Sequence, residues 1–153
     1  MNDNREKRKM IAEETLRIIQ SGQYNVGGKA VDIADSISFS RENSILISQG
    51  DAEKFGKEFQ SKAGTPVIEL TNESTLSAIL RMNGNQVSAI GVLNFASAKN
   101  PGGGFLNGAL AQEESLAIAS SLYDSQTHQS GYYDINRTCK SMMYTDTDRK
   151  SVV

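Results

Sequence analysis

Asn100-Pro101-Gly102-Gly103-Gly104-Phe105-Leu106-Asn107-Gly108-Ala109-Leu110-Ala111-Gln112-Glu113-Glu114 is the stretch from which the rest of the chain is read. Three consecutive glycines carry no Cβ, so another group can approach their backbone closely. A bare glycine loop suggests phosphate binding through backbone N–H groups. An amide and two carboxylates follow at once, in Gln112-Glu113-Glu114. A loop of this kind followed by acids points to a phosphorylated sugar with chemistry at the sugar. The loop is neither the GxxxxGK[ST] of a P-loop nor the GxGxxG of a dinucleotide fold. Pro101 before it and a helical pattern after it argue for a shaped loop rather than a mobile turn.

Strand and helix patterns alternate on both sides. Residues 67–70 (Val-Ile-Glu-Leu) read as a strand. Thr71 or Asn72 is placed to cap a helix with Leu76, Ile79 and Leu80 on one stripe, ending near Gly84. Residues 87–93 are nearly all apolar, as in a strand buried on both faces. After the glycine loop, residues 112–123 read as a helix with Leu116, Ala119 and Tyr123 inward, and the polar residues 124–137 as a loop. Residues 141–145 read as a further strand. This β-α-β-loop-α-β order predicts an α/β sandwich, with the glycine loop at a carboxyl edge of the sheet where ligands bind. Upstream, residues 5–20 suit an amphipathic helix stopped by Gly22. Residues 23–33 suit a hairpin around Gly27-Gly28. Residues 35–48 are ambiguous, and residues 51–62 favour a polar helix with Phe55 and Phe59 on one face.

Composition bounds the chemistry. The 153 residues correspond to one domain or part of one. A net charge of −2 supplies no basic field, so no DNA partner is expected. One histidine (His128) and one cysteine (Cys139) exclude a multi-histidine zinc site and an internal disulfide. The N-terminus leads into no long apolar run, which predicts neither a signal peptide nor a membrane span, and hence a cytoplasmic location. The basic cluster Arg5-Lys7-Arg8-Lys9 reads as a solvated helix face.

The pattern Gly-Gly-Gly followed by Gln112-Glu113-Glu114 resembles the signature of poly(ADP-ribose) glycohydrolases. The flanks Asn94-Phe95-Ala96-Ser97-Ala98-Lys99-Asn100-Pro101 and Ser115-Leu116 are similar to the microbial type of that family. The resemblance runs to about Tyr144 and is strongest over residues 92–123. It implies a macrodomain-like three-layer α/β/α sandwich. It also implies hydrolysis of the ribose–ribose O-glycosidic bond of poly(ADP-ribose), releasing ADP-ribose without metal or cofactor. Poly(ADP-ribose) or an ADP-ribosylated protein would be the substrate. It assigns acid/base catalysis to Glu114 and substrate positioning to Glu113. Asn100, Gly102, Gly103, Gly104, Gln112 and Asn94 become candidate substrate-binding residues. An amide suits a ribose diol because it both donates and accepts. Phe105 is placed either on a sugar face or in the core. Two alternatives stay open: an ADP-ribose-binding module without chemistry, and a hydrolase of mono-ADP-ribosylated protein.

The last six residues, Asp148-Arg149-Lys150-Ser151-Val152-Val153, back-translate as GAT-CGG-AAG-AGC-GTC-GTG, the start of a common sequencing adapter. They are expected to be a non-native tail. The family it resembles continues well beyond residue 147, so the sandwich is expected to be truncated on its C-terminal side and the fragment to be a poor enzyme. Residues 1–62 then form an N-terminal accessory region, and residues 63–147 the start of the macrodomain core.

Overall fold

Gly22 ends the first helix as its sequence predicts. It adopts φ +71, and its N–H donates to the Ile18 carbonyl at 2.9 Å. A Cβ there would stand 3.0 Å from the Ala34 Cβ, so the close turn into the next elements also favours glycine. The computed structural model describes residues 3–58, 64–87, 89–139, 145 and 148–150. Helix α1 (Asp3–Ser21) leads into an antiparallel hairpin of β1 (Gln23–Val26) and β2 (Lys29–Asp32). Gly27 and Gly28 both have positive φ, +57 and +78. That matches the twist demanded by a two-residue hairpin turn.

The ambiguous stretch resolves into helix α2 (Ala34–Asn43) and a short strand β3 (Ile45–Ile47). Helix α3 (Gln49–Glu58) starts with a reciprocal cap. Ser48 donates its N–H and hydroxyl to Asp51 Oδ2, and the Asp51 N–H returns to Ser48 Oγ. The Ser48 hydroxyl bond, followed by the backbone one, holds the Asp51 carboxyl below its usual value. The expected end of this helix at 59–62 lies outside the described residues.

Four expectations ahead of the glycine loop are corrected. Residues 67–70 form no strand, and Val67, Ile68 and Leu70 are 87, 89 and 102 % exposed. Residues 87 and 89–93 are likewise irregular. The apolar content of both runs is strand-like, but a strand exists only by pairing, and neither run has a ladder partner among the described residues. Helix α4 (Thr75–Gly84) is capped by Ser74, whose Oγ accepts the Ser77 N–H at 3.1 Å, not by Thr71 or Asn72. Its stripe is narrower than expected, because Leu80 is 63 % exposed.

The largest correction lies after the acids. The helix expected to reach Tyr123 stops as α5 (Gln112–Ala119), where Ser120 turns extended. Helices α6 (Leu122–His128) and α7 (Gly131–Thr138) then fill the stretch expected to be a loop. Its polarity is misleading because several polar side chains face inward: Ser125, Gln126 and Asn136 are buried beside Leu122 and Tyr133. Strand β4 (Asp148–Lys150), within the stretch expected to be a non-native tail, pairs antiparallel with β3, Ile45 opposite Lys150 and Ile47 opposite Asp148. The expected strand over 141–145 falls outside the described residues except Thr145, which is irregular. The described elements make a mixed α/β protein, mostly helical, with two separate two-stranded sheets.

One apolar cluster anchors the region around the motif. Ala12 of α1, Phe105 and Ala117 of α5 are buried together, with Leu16, Ile118 and Tyr123 packed against them. Phe105 therefore takes the core role, its ring 4.9 Å from that of Tyr123. Outside the cluster, Arg41 of α2 binds Asp124 of α6 through Nε and Nη2 at 2.6 and 3.0 Å. This hydrogen bonding holds the Arg41 guanidinium above its ordinary pKa. Asp124 is 14 % exposed and Arg41 37 %, so solvent weakens the pair. Arg41→Ala is expected to cost about 1 kcal/mol, a fall of roughly 2–4 °C in melting temperature. An unchanged melting curve would show that the pair contributes nothing.

Candidate active site

The glycine loop owes its shape to two left-handed residues, Gly102 at φ +62 and Gly103 at φ +60. A single 3-10 turn (Phe105–Asn107) follows, closed by Gly108 at φ +69. The loop folds back on α5, and its three N–H groups are given to protein acceptors. Gly102 donates to Gln126 Oε1 at 2.5 Å, Gly103 to the Asn100 carbonyl at 3.0 Å, and Gly104 to Glu114 Oε1 at 2.9 Å. The donors expected to face a phosphate are thus engaged within the protein. What the glycines provide is room. A Cβ on Gly103 would collide with Glu114 Oε1 and lie 3.0 Å from Glu113 Oε2.

The two acids occupy the first turn of α5, after an N-cap alanine that offers no side-chain cap. Adjacent helical positions point about 100° apart, and the two carboxylates meet different surroundings. Glu113 is 3 % exposed. Its Oε2 accepts the Ser97 N–H at 2.7 Å and its Oε1 accepts Gln126 Nε2 at 3.0 Å. Glu114 is half-buried. Its Oε1 takes the Gly104 N–H, while its Oε2 makes no hydrogen bond to the described residues. Gln112 is used as a tether. Its Oε1 accepts the Phe95 N–H at 2.8 Å, and its Nε2 donates to the Leu93 carbonyl and Thr75 Oγ1 at 2.9 and 3.1 Å.

The two asparagines differ. Asn100 is exposed, and its backbone N–H donates to Ser97 Oγ at 3.1 Å. Asn94 buries both side-chain amide atoms, with no hydrogen-bond partner among the described residues. An unpaired buried amide costs about 1–3 kcal/mol. The structure therefore brings Glu113, Glu114, Gln112 and the three glycines into one hydrogen-bonded assembly, with Asn100 on the same loop and Asn94 next to a segment tethered by Gln112.

Comparison with known proteins bears on this assembly. The family profile described as "Microbial-type PARG, catalytic domain" matches residues 12–148. The chain belongs to this family. It is 36 % identical to the crystallised poly(ADP-ribose) glycohydrolase (PARG) of Thermomonospora curvata, with a TM-score of 0.88 over 93 % of this chain and 53 % of that one. The same bacterial enzyme bound to the inhibitor ADP-HPD gives 35 % identity and a TM-score of 0.84 over 93 and 51 %. The PARG of Deinococcus radiodurans in complex with ADP-ribose gives 35 % identity and a TM-score of 0.64 over 81 and 47 %. The chain thus spans about half the length of these solved relatives. No curated protein sequence matches it.

Two supports of this PARG-family site escape the sequence. Arg5 and Arg8 of α1, expected to be solvated, donate through Nε to the carbonyls of Asn107 and Gly108, both at 2.8 Å. A Cβ on Gly108 would collide with the Arg5 carbonyl, so the helix sits directly against the end of the loop. The second support is Gln126, completely buried on α6. The i, i+4 spacing of Leu122 and Gln126 is the one signal that would have placed it on an inward helical face. His128 and Cys139 stay outside the assembly. Among the described residues no helix is long and apolar enough to cross a membrane.

Proposed function

We propose that the protein acts on the ribose–ribose O-glycosidic bond of poly(ADP-ribose), releasing ADP-ribose, with Glu114 as the single acid/base. The observation that carries this is the contrast between the adjacent glutamates. Glu113 has an N–H donor on each oxygen, an arrangement that suits a fixed, ionised acceptor. Glu114 keeps Oε2 available and is partly open to solvent, as a group that exchanges protons must be. In the first step the Glu114 carboxyl protonates the leaving ribose oxygen as the C–O bond breaks. Water then adds to the anomeric carbon and gives a proton back to Glu114. Adjacent residues on one helix do not easily flank opposite faces of a sugar, so Glu113 is not assigned as a second catalytic carboxylate. The substrate's own diphosphate stabilises the positive charge on the ribose.

In this scheme Glu113 and Gln112 position, and the glycines give the sugar nucleotide close access to the acids. Asn100 and Asn94 bind ribose hydroxyls, which would pair the Asn94 amide. The same proposal takes the complete domain to be a macrodomain-like three-layer α/β/α sandwich. Its support is the similarity to PARG structures, one of them holding ADP-ribose.

The deciding experiment measures ADP-ribose release from polymer beside ADP-ribose binding by calorimetry. Release at a rate that scales with protein supports the glycosidase. Binding without release would turn the protein into a reader, and release only from mono-ADP-ribosylated protein would change the substrate. Activity is expected to persist in EDTA, because the described residues hold no group of three or more His, Cys, Asp or Glu side chains suited to a metal. Loss in EDTA with rescue by a divalent ion would count against the scheme.

A further inference from the structure

Gln126 belongs to no motif, yet its one amide group joins the first glycine of the loop to the first acid. The oxygen accepts the Gly102 N–H, and the nitrogen donates to Glu113 Oε1. From Glu113 the chain of bonds continues to the Ser97 N–H, and Ser97 Oγ accepts the N–H groups of Lys99 and Asn100. One buried side chain thus reaches both flanks of the glycine loop, where two residues hold left-handed conformations.

We propose that Gln126 is a positioning residue that locks the glycine loop to Glu113 before any sugar nucleotide arrives. Its catalytic consequence, though not the lock itself, rests on the glycohydrolase proposed above. Only a group that accepts at one atom and donates at the other meets both demands. An apolar side chain of the same length removes the acceptor of the Gly102 N–H and takes one N–H donor from Glu113 Oε1. A carboxyl behaves in two ways. Protonated, it copies the amide, taking the Gly102 N–H on its carbonyl and donating its O–H to Glu113. Ionised, it sets two buried carboxylates side by side, which disfavours the charged pair. Gln126→Glu should therefore make the lock depend on pH.

Among the described residues, the titratable or charged groups around the lock include Glu114 on the Gly104 N–H, Lys99 beside Ser97, and Asp124 of α6 with its partner Arg41 of α2. His128 lies 3.9 Å from Asp124, Tyr123 packs on Phe105, and Tyr133 and Arg137 of α7 stack, Arg137 also bonding the Lys99 carbonyl. All are present without the substitution, so the effect is read as a difference from the unsubstituted protein.

The test is amide hydrogen exchange by NMR on the ligand-free protein, corrected for intrinsic rates, from about pH 5 to about pH 8. Gln126→Met should lower protection at Ser97 and Gly102 by about tenfold or more at every pH, as expected for unpaired buried groups. Gln126→Glu should match the unsubstituted protein at the acid end and lose protection reversibly as pH rises, with α1 unaffected. ADP-ribose release by that variant should follow the same curve, with kcat falling more than KM. If Gln126→Met does not fold, the acid-to-neutral change in Gln126→Glu decides alone. Unaltered protection in Gln126→Glu at all pH values would overturn the lock, and so would a loss independent of pH. Absence of ADP-ribose release by the unsubstituted protein in a complete domain would remove the glycohydrolase and leave the exchange result standing.

Discussion

In a complete domain carrying this motif, Glu114→Gln is expected to slow release of ADP-ribose from polymer by roughly 100-fold or more, the usual consequence of losing an acid/base group. ADP-ribose affinity should change little. The substitution keeps the shape and an oxygen to accept the Gly104 N–H. What it removes is a titrating proton at an atom that binds nothing else among the described residues. Calorimetry and product release, measured on the same preparation, separate the two effects. Near-normal turnover would move the assignment away from Glu114.

Glu113→Gln should behave differently, and the difference makes the assignment testable. Both Glu113 oxygens accept N–H bonds, from Ser97 and from Gln126. A carboxamide has one acceptor oxygen, so its amino group must face one of those donors inside a buried site. The expected loss is in stability and ligand affinity together with rate, not in rate alone.

Local chemistry explains which parts of this architecture the sequence discloses. The first helix with its glycine stop and the Gly27-Gly28 hairpin are set by residues next to one another, so they are legible in a single sequence. The acid motif is legible because its chemistry is concentrated in fifteen residues. The apolar runs at 67–70 and 87–93 are not, because apolarity reports a wish to be buried and not the presence of a ladder partner. Helices α6 and α7 are hidden for the opposite reason. Their inward faces carry Ser125, Gln126 and Asn136, whose burial is tolerable only because each is hydrogen-bonded, Ser125 to the Leu122 carbonyl, Asn136 to the Tyr132 carbonyl, and Gln126 to the distant Gly102 and Glu113. The same holds for Arg5 and Arg8, whose acceptors lie some hundred residues away. The glycine N–H groups are a subtler case. Three glycines beside two acids suggest donors awaiting a phosphate, yet the structure assigns those donors to Gln126, Asn100 and Glu114. Spacing alone does not distinguish a donor offered to a ligand from one that holds the loop in shape.

Gly103→Val strikes the loop where it meets both glutamates. Left-handed φ values are uncommon for any side chain and strained for a β-branched one, by about 1–3 kcal/mol. Gly103 adds a steric conflict to this, because its Cβ would collide with Glu114 Oε1 and press on Glu113 Oε2. Sequence reasoning alone predicts that such a change weakens ligand binding while changing stability less. The structure revises that, since the valine cannot enter unless a carboxylate with a fixed partner moves. If Glu114 turns away, the Gly104 N–H loses its acceptor. If Glu113 moves, the buried bonds to Ser97 and Gln126 break. The expected result is a lower melting temperature together with a fall in ADP-ribose affinity of about tenfold or more. Gly103→Ala should show the same pair of changes in weaker form, because it shares the left-handed φ and the first clashing carbon but lacks the branches. An unchanged dissociation constant for Gly103→Val, measured by calorimetry on protein that melts cooperatively, would mean that the loop and its two glutamates lie away from the ligand.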